Sequence, residues 1–141
     1  MDTPKDISTL FRKMTARMNT MLTQIGLTTA QSIVIFCLYD HEKMTQTDIC
    51  NMLEMDKSTV AKMLPRLEKE GLITKERHES DARAFYVRLT EKAVALVPKA
   101  KAIQSEWLEQ VTANFTAKER DSFYELIERA AIAANDIADD Q

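Results

Sequence analysis

Glycine is nearly absent from this chain, with only Gly26 and Gly71 among 141 residues, and there are just three prolines. That leaves little material for long loops or broad sheet, so a mainly helical class is expected. Two glycines also cannot build a phosphate-cradling loop. Long apolar runs are missing too. The longest, Ile33 to Tyr39, falls far short of the roughly twenty residues a membrane helix needs, so no membrane partner is expected. The first residues, Met1-Asp2-Thr3-Pro4-Lys5-Asp6, lack the basic and apolar regions of a secretory signal, and a cytoplasmic location is expected. Cysteine is limited to Cys37 and Cys50, both on predicted helices, where a reducing compartment favours free thiols over a disulfide. His41 and His78 are the only histidines. No nucleophile–base pair and no spaced ligand set surrounds either, so neither catalysis, a cofactor nor a metal is expected. His41 stands between Asp40 and Glu42, and a solvated helix end is the simpler reading of that trio than a metal site.

The net charge of −3 looks unfavourable for a nucleic-acid partner until it is divided along the chain. From Lys57 to Lys92 there are nine basic and six acidic residues, a balance of +3, which leaves −6 for the remainder. Ser105 to Gln141 alone holds three basic and nine acidic residues. Any single lysine is most simply a solvated side chain. The basic excess, however, coincides with the most informative segment of the chain.

That segment runs from Met44 to Leu89 and predicts two short helices, a break at Gly71 and a two-stranded hairpin with a charged tip. Thr45 is placed to cap the first helix, whose apolar residues are Ile49, Met52 and Leu53. Asp56 is placed to cap the second. There Val60, Met63, Leu64 and Leu67 fall at i, i+3, i+4 and i+7, a single buried stripe. The opposite face carries Lys57, Ser58, Lys62, Arg66 and Lys69. Gly71 offers the left-handed conformation that ends helices cheaply. Leu72 to Arg77 and Phe85 to Leu89 are strand-like, with Phe85, Val87 and Leu89 alternating against Tyr86 and Arg88. The order is that of a winged helix-turn-helix, which sets one helix in a DNA groove and one loop beside it.

At these residues the chain resembles the MarR family of bacterial transcription regulators. The matching runs are Asp56-Lys57-Ser58-Thr59-Val60, Leu67-Glu68-Lys69-Glu70-Gly71-Leu72-Ile73, Asp81-Ala82-Arg83 and Leu89-Thr90-Glu91-Lys92. The chain departs from the family pattern at Ala93, where glycine is usual, at Pro65 on the exposed face of the recognition helix, and at Ser32, where many members carry tryptophan. The resemblance implies one domain over residues 1–141, with a winged helix-turn-helix core at 28–92 and dimerisation helices at 6–25 and 91–139. It implies a homodimer on a pseudo-palindromic double-stranded DNA operator, acting as a repressor released by a small apolar or aromatic effector. Lys57, Ser58, Thr59, Lys62 and Arg66 are expected to face the major groove, where lysine and arginine meet phosphates or guanine edges. Arg83 is expected at the minor groove, with Asp81 orienting the wing. Effectors of the family bind between the dimerisation helices and the winged helix, which points to Met18, Phe36 and Tyr39 here, although core packing suits each of them individually.

The flanks fit a dimer. Residues 6 to 25 predict a helix with Ile7, Met14 and Met21, and Phe11, Met18 and Ile25, in two rows of heptad spacing, a pattern that calls for a partner helix. Gly26 ends it, and Thr28 or Thr29 starts a helix to about Asp40. Thr90 is placed to cap a helix through Leu96, Ala100, Ile103, Trp107 and Val111, with a bend or interruption expected at Pro98. Thr116 to Glu119 forms a capping box that opens a helix with Phe123, Leu126, Ile127, Ala130, Ala134 and Ile137 on one face. A monomeric helical bundle is the alternative. Two further readings stay open: a winged helix used only for protein contacts, and redox sensing through Cys37 or Cys50. Peroxide-sensing relatives carry their reactive cysteine in the first helix, where this chain has Phe11, Met14 and Met18. Pro65 predicts a recognition helix bent around it, with Lys57 to Lys62 in the groove and Arg66 turned toward the phosphate rim.

Overall fold

Asp2 opens the first helix, α1 (Thr3–Thr23), by accepting a hydrogen bond from the Lys5 amide at 3.2 Å, and Pro4 sits in the first turn, where its missing N–H costs nothing. The helix therefore begins three residues before the sequence pattern predicts. The computed structural model describes residues 1–137, so residues 138 and 139 of the expected C-terminal dimerisation segment lie outside the described residues. At the far end of α1, Gly26 takes φ +79°, and the Leu27 amide reaches back to the Leu22 carbonyl at 2.9 Å. This is the Schellman arrangement, which needs a left-handed residue and so favours glycine.

Helix α2 (Thr29–His41) starts in a capping box between Thr28 and Gln31. A short strand follows, β1 (Lys43–Thr45), and then α3 (Gln46–Leu53), capped by Thr45 in a second box with Asp48. Helix α4 (Lys57–Lys69) ends at Gly71, φ +75°, in a second Schellman turn with Leu72 N–H donating to the Leu67 carbonyl at 2.9 Å. Strands β2 (Ile73–Arg77) and β3 (Phe85–Leu89) form the hairpin. The hairpin is not alone: β1 pairs antiparallel with β3, giving a three-stranded sheet in the order β1-β3-β2. Helices α5 (Glu91–Val111) and α6 (Ala117–Asp136) complete the chain, the latter opened by the expected Thr116–Glu119 capping box. Neither Pro65 nor Pro98 interrupts its helix. Among the described residues no helix is long and apolar enough to cross a membrane.

The chain forms two compact units, Met1–Ser105 and Glu106–Gln141. The core of the first is built from Leu22, Val34, Ile35, Leu38, Ile49, Val60, Leu67, Ile73 and Val87, all essentially out of water. Several apolar expectations change in the structure. Phe85 is exposed and Met52 likewise, because the strand end and the last turn of α3 project past the core that Val87 and Ile49 fill. Cys50 is buried in place of Met52. In the first unit, Ile7, Leu10, Phe11 and Met14 of α1 stay exposed, and only Met18 and Leu22 are covered. The second unit buries no residue of α6 and leaves Leu126, Ile127 and Ile132 in water.

Candidate nucleic-acid interface

Helix α4 presents its two faces as the pattern requires. Val60, Leu64 and Leu67 are buried, while Lys57, Ser58, Thr59, Lys62, Pro65 and Arg66 are exposed. Helix α3 and strand β2 hold the buried side, so the exposed face is presented on a rigid platform. Asp56 occupies the N-cap position, but its carboxylate makes no bond to the helix amides; it accepts instead from the Ser58 hydroxyl. The first-turn amides of α4 are thus left without a side-chain cap, and they are free to donate to an anion.

The far end of α4 is tied down by three elements. Lys92 donates to the Glu70 carbonyl at 2.7 Å, neutralising part of the negative end of the helix dipole. Thr90 Oγ1 donates to the Gly71 carbonyl at 2.6 Å and accepts from the Ala93 amide at 3.2 Å, joining the end of α4 to the start of α5. Arg66 Nε lies 3.4 Å from Glu70 Oε1, and Gln31 Nε2 lies 3.4 Å from the other Glu70 oxygen. Arg66 is thereby held against the C-terminal turn, beside a cleft lined by Lys62, Pro65, Arg66, Lys69 and Glu70.

The wing meets the start of α4. A cleft of about 380 Å³ is lined by Gln46 and Thr47 of α3, Lys57 of α4, and Lys75, Asp81, Arg83 and Phe85 of the hairpin. The sequence-predicted residues Lys57, Asp81 and Arg83 therefore share one groove, whereas Lys62 and Arg66 sit further along the helix. Asp81 shapes the wing tip through its own backbone and side chain: Oδ1 accepts from the Arg83 amide at 3.0 Å and its carbonyl from the Ala84 amide at 3.1 Å. Arg88, in the middle of β3, bridges Glu76 of β2 at 2.8 Å and Glu42 at the end of α2 at 3.1 Å. The Arg88 hydrogen bond and charge hold the Glu76 carboxyl below its ordinary range.

An expected wing–helix pairing, a basic face and an uncapped helix start are thus assembled in one unit. The MarR family model matches residues 27–85. The chain carries a MarR-family domain there. It is 35% identical over 89 residues to the organic hydroperoxide resistance transcriptional regulator of Bacillus subtilis, a stretch covering 63% of this chain and 60% of that relative's length. A MarR transcriptional regulator from Methanosarcina mazei superposes with a TM-score of 0.87 at 29% identity, over 96% of this chain and 98% of the other. A mutant of Escherichia coli MarR crystallised with operator DNA shares the fold, with a TM-score of 0.77 at 22% identity over 90% and 91% of the two chains.

The remaining candidate residues are distributed less neatly. Met18 is buried, Phe36 half-buried and Tyr39 exposed with the Lys101 ammonium 5.2 Å from its ring centre. The clefts at the wing, along Lys62–Glu70 and at His41–Met52 are lined by other residues. Both cysteines are buried. Burial, and then the neighbouring Asp40 carboxylate, push the Cys37 thiol above its ordinary range, and its sulfur rests 3.5 Å from that of Met44. His41 Nδ1 lies 2.8 Å from the Cys37 carbonyl, an interaction within its own helix. Sequence reasoning missed β1, whose three residues are too few for a readable alternation, and it missed the bridging role of Arg88, which depends on pairing that register alone sets.

Proposed function

We propose that this protein is a homodimeric, sequence-specific double-stranded DNA-binding transcription regulator of the cytoplasm, a repressor that a small apolar or aromatic effector releases. The observation that carries the reading is the groove where Lys57 at the uncapped start of α4 meets Arg83 and Lys75 of the wing. A duplex offers phosphates to both and base edges to the exposed face of α4. Ser58 and Thr59 contact phosphate at the helix start, Lys62 and Arg66 lie along the groove, and Asp81 sets the wing that carries Arg83. The named regulators among its relatives, and operator DNA in the Escherichia coli complex, support the same assignment. Dimerisation has its support in the exposed apolar rows of α1 and, separately, of α6. Of the effector candidates, Phe36 and Tyr39 offer accessible surface and Met18 stands in the core.

Redox sensing through Cys37 or Cys50 is the weaker reading: both thiols are buried, and burial holds Cys37 in its protonated form, a poor nucleophile. Binding to the duplex upstream of the protein's own gene, measured across salt concentrations with and without candidate effectors, tests the proposal. A steep fall of affinity with salt is expected, because each neutralised phosphate releases counterions. Affinity that ignores salt and sequence would favour a protein-interaction module instead.

A further inference from the structure

His78 is half-buried at the end of β2, just before the wing turn, with its ring stacked on Tyr86 at 4.7 Å and 25°. Its Nδ1 lies 3.2 Å from two backbone amides, those of Ser80 and Asp81. Both are N–H donors, so Nδ1 must present its lone pair and the ring proton must sit on Nε2. The His78 amide in turn donates to the Ala84 carbonyl at 3.2 Å, closing the turn across its base. Asp81, fixed by His78, is the residue that accepts from the Arg83 amide. A chain of bonds therefore runs from one imidazole nitrogen to the wing-tip arginine.

We infer that His78 is a positioning residue for Arg83, and that it holds the wing turn only while its ring is neutral. The inference rests on the regulator reading for its effect on DNA but not for its effect on the turn. Protonation converts Nδ1 from acceptor to donor, so the Ser80 and Asp81 amides lose their partner together. The charged and titratable groups of the turn and its strands are Arg77 at the end of β2, Glu79, Asp81 and Arg83 in the turn, Tyr86 from β3, and Lys43 from β1, whose ammonium lies 4.3 Å from the Tyr86 ring centre; Glu76 is engaged by Arg88.

The test uses the full chain. In the free protein, the amide resonances of Ser80 and Asp81 and those of the His78 ring are followed by NMR as pH falls from about 8 to about 5, the interval in which histidine takes up its proton. Both amides are expected to move with the midpoint of the ring. In His78→Asn they are expected to stay still, because the amide oxygen takes the place of Nδ1 and does not titrate. Amides that hold still in the unmodified protein, or that move alike in His78→Asn, overturn the proposal. Acid also adds a positive charge to the wing, which favours DNA, so affinity is compared at about pH 8, where histidine is uncharged. There His78→Ala should bind duplex DNA about threefold to tenfold more weakly, His78→Asn within about twofold of the parent, and His78→Ala should cost nothing further once Arg83→Ala is present. An undiminished loss in the Arg83→Ala background removes the positioning role. Should the parent protein not bind duplex DNA at all, the regulator reading fails, and the amide titration alone decides what His78 does.

Discussion

Helices α4 and α6 are written in similar patterns, apolar residues recurring along one side and charge on the other, yet the chain treats them differently. In α4 the stripe of Val60, Leu64 and Leu67 is removed from water. In α6, Leu126, Ile127 and Ile132 keep roughly half their surface exposed or more. The difference lies in the neighbours. Helix α4 is followed by a tight Schellman turn that folds β2 back against it, and α3 precedes it by a short turn, so packing partners arrive within a few residues. Helix α6, described within its own unit, buries none of its residues. Amphipathicity therefore states that a face will be covered, and the surrounding topology states whether the same chain does the covering.

Leu67→Ala should separate the two cases most sharply. Truncating a fully buried leucine costs about 2–5 kcal/mol, to be read from urea unfolding, with the oligomeric mass unchanged. A cost below that range would mean the α4 platform is looser than its burial implies. The double substitution Leu126→Glu and Ile127→Glu addresses the other helix. It should weaken self-association by on the order of 2–4 kcal/mol and shift the light-scattering mass from two chains to one. A variant that associates like the parent would show that this stripe is not a subunit contact.

Arg83→Ala is expected to weaken operator binding by about 1–3 kcal/mol without lowering the melting temperature, since the side chain is exposed at the wing tip. If the loss is electrostatic only, the salt slope falls by about one. Pro65→Ala restores a helix hydrogen bond to the Ala61 carbonyl but frees the unfolded chain, so a net gain of about 1 kcal/mol is expected, with altered DNA affinity as Arg66 is re-aimed. Unchanged affinity and unchanged site preference would remove Pro65 from the recognition surface.

The smallest effect concerns acid. Glu76 is held below its ordinary range by Arg88, so its contribution to stability is present above the ordinary value of 4.5 and is lost as pH falls through the lower folded value. Arg88→Gln should flatten the stability curve below about pH 4.5, by a small amount because the pair is open to solvent. Equal acid sensitivity in the two proteins would show that the bridge contributes nothing there.

The local chemistry of the chain was readable in advance wherever a signal acts within a turn or two. Thr45, Thr116 and Gly71 cap and end their helices where their side chains, or the lack of one, predict. Local rules failed where a competing contact was closer. Asp56 took the Ser58 hydroxyl in place of the helix amides, and α2 and α3 end on Glu42 and Glu54 at positive φ, positions where a sequence reading looks for glycine.

By itself, then, the sequence determined the helices, the caps at Thr45 and Thr116, the hairpin and the basic face of α4, because each follows from spacing of a few residues along one chain. Only the tertiary structure decided that β1 joins the hairpin, that Arg88 bridges Glu42 and Glu76, that Lys57 and Arg83 line one groove, and that His78 anchors the turn bearing Arg83. These depend on strand register and on the angle at which the wing returns. Contacts between residues distant in sequence leave no periodic trace in it.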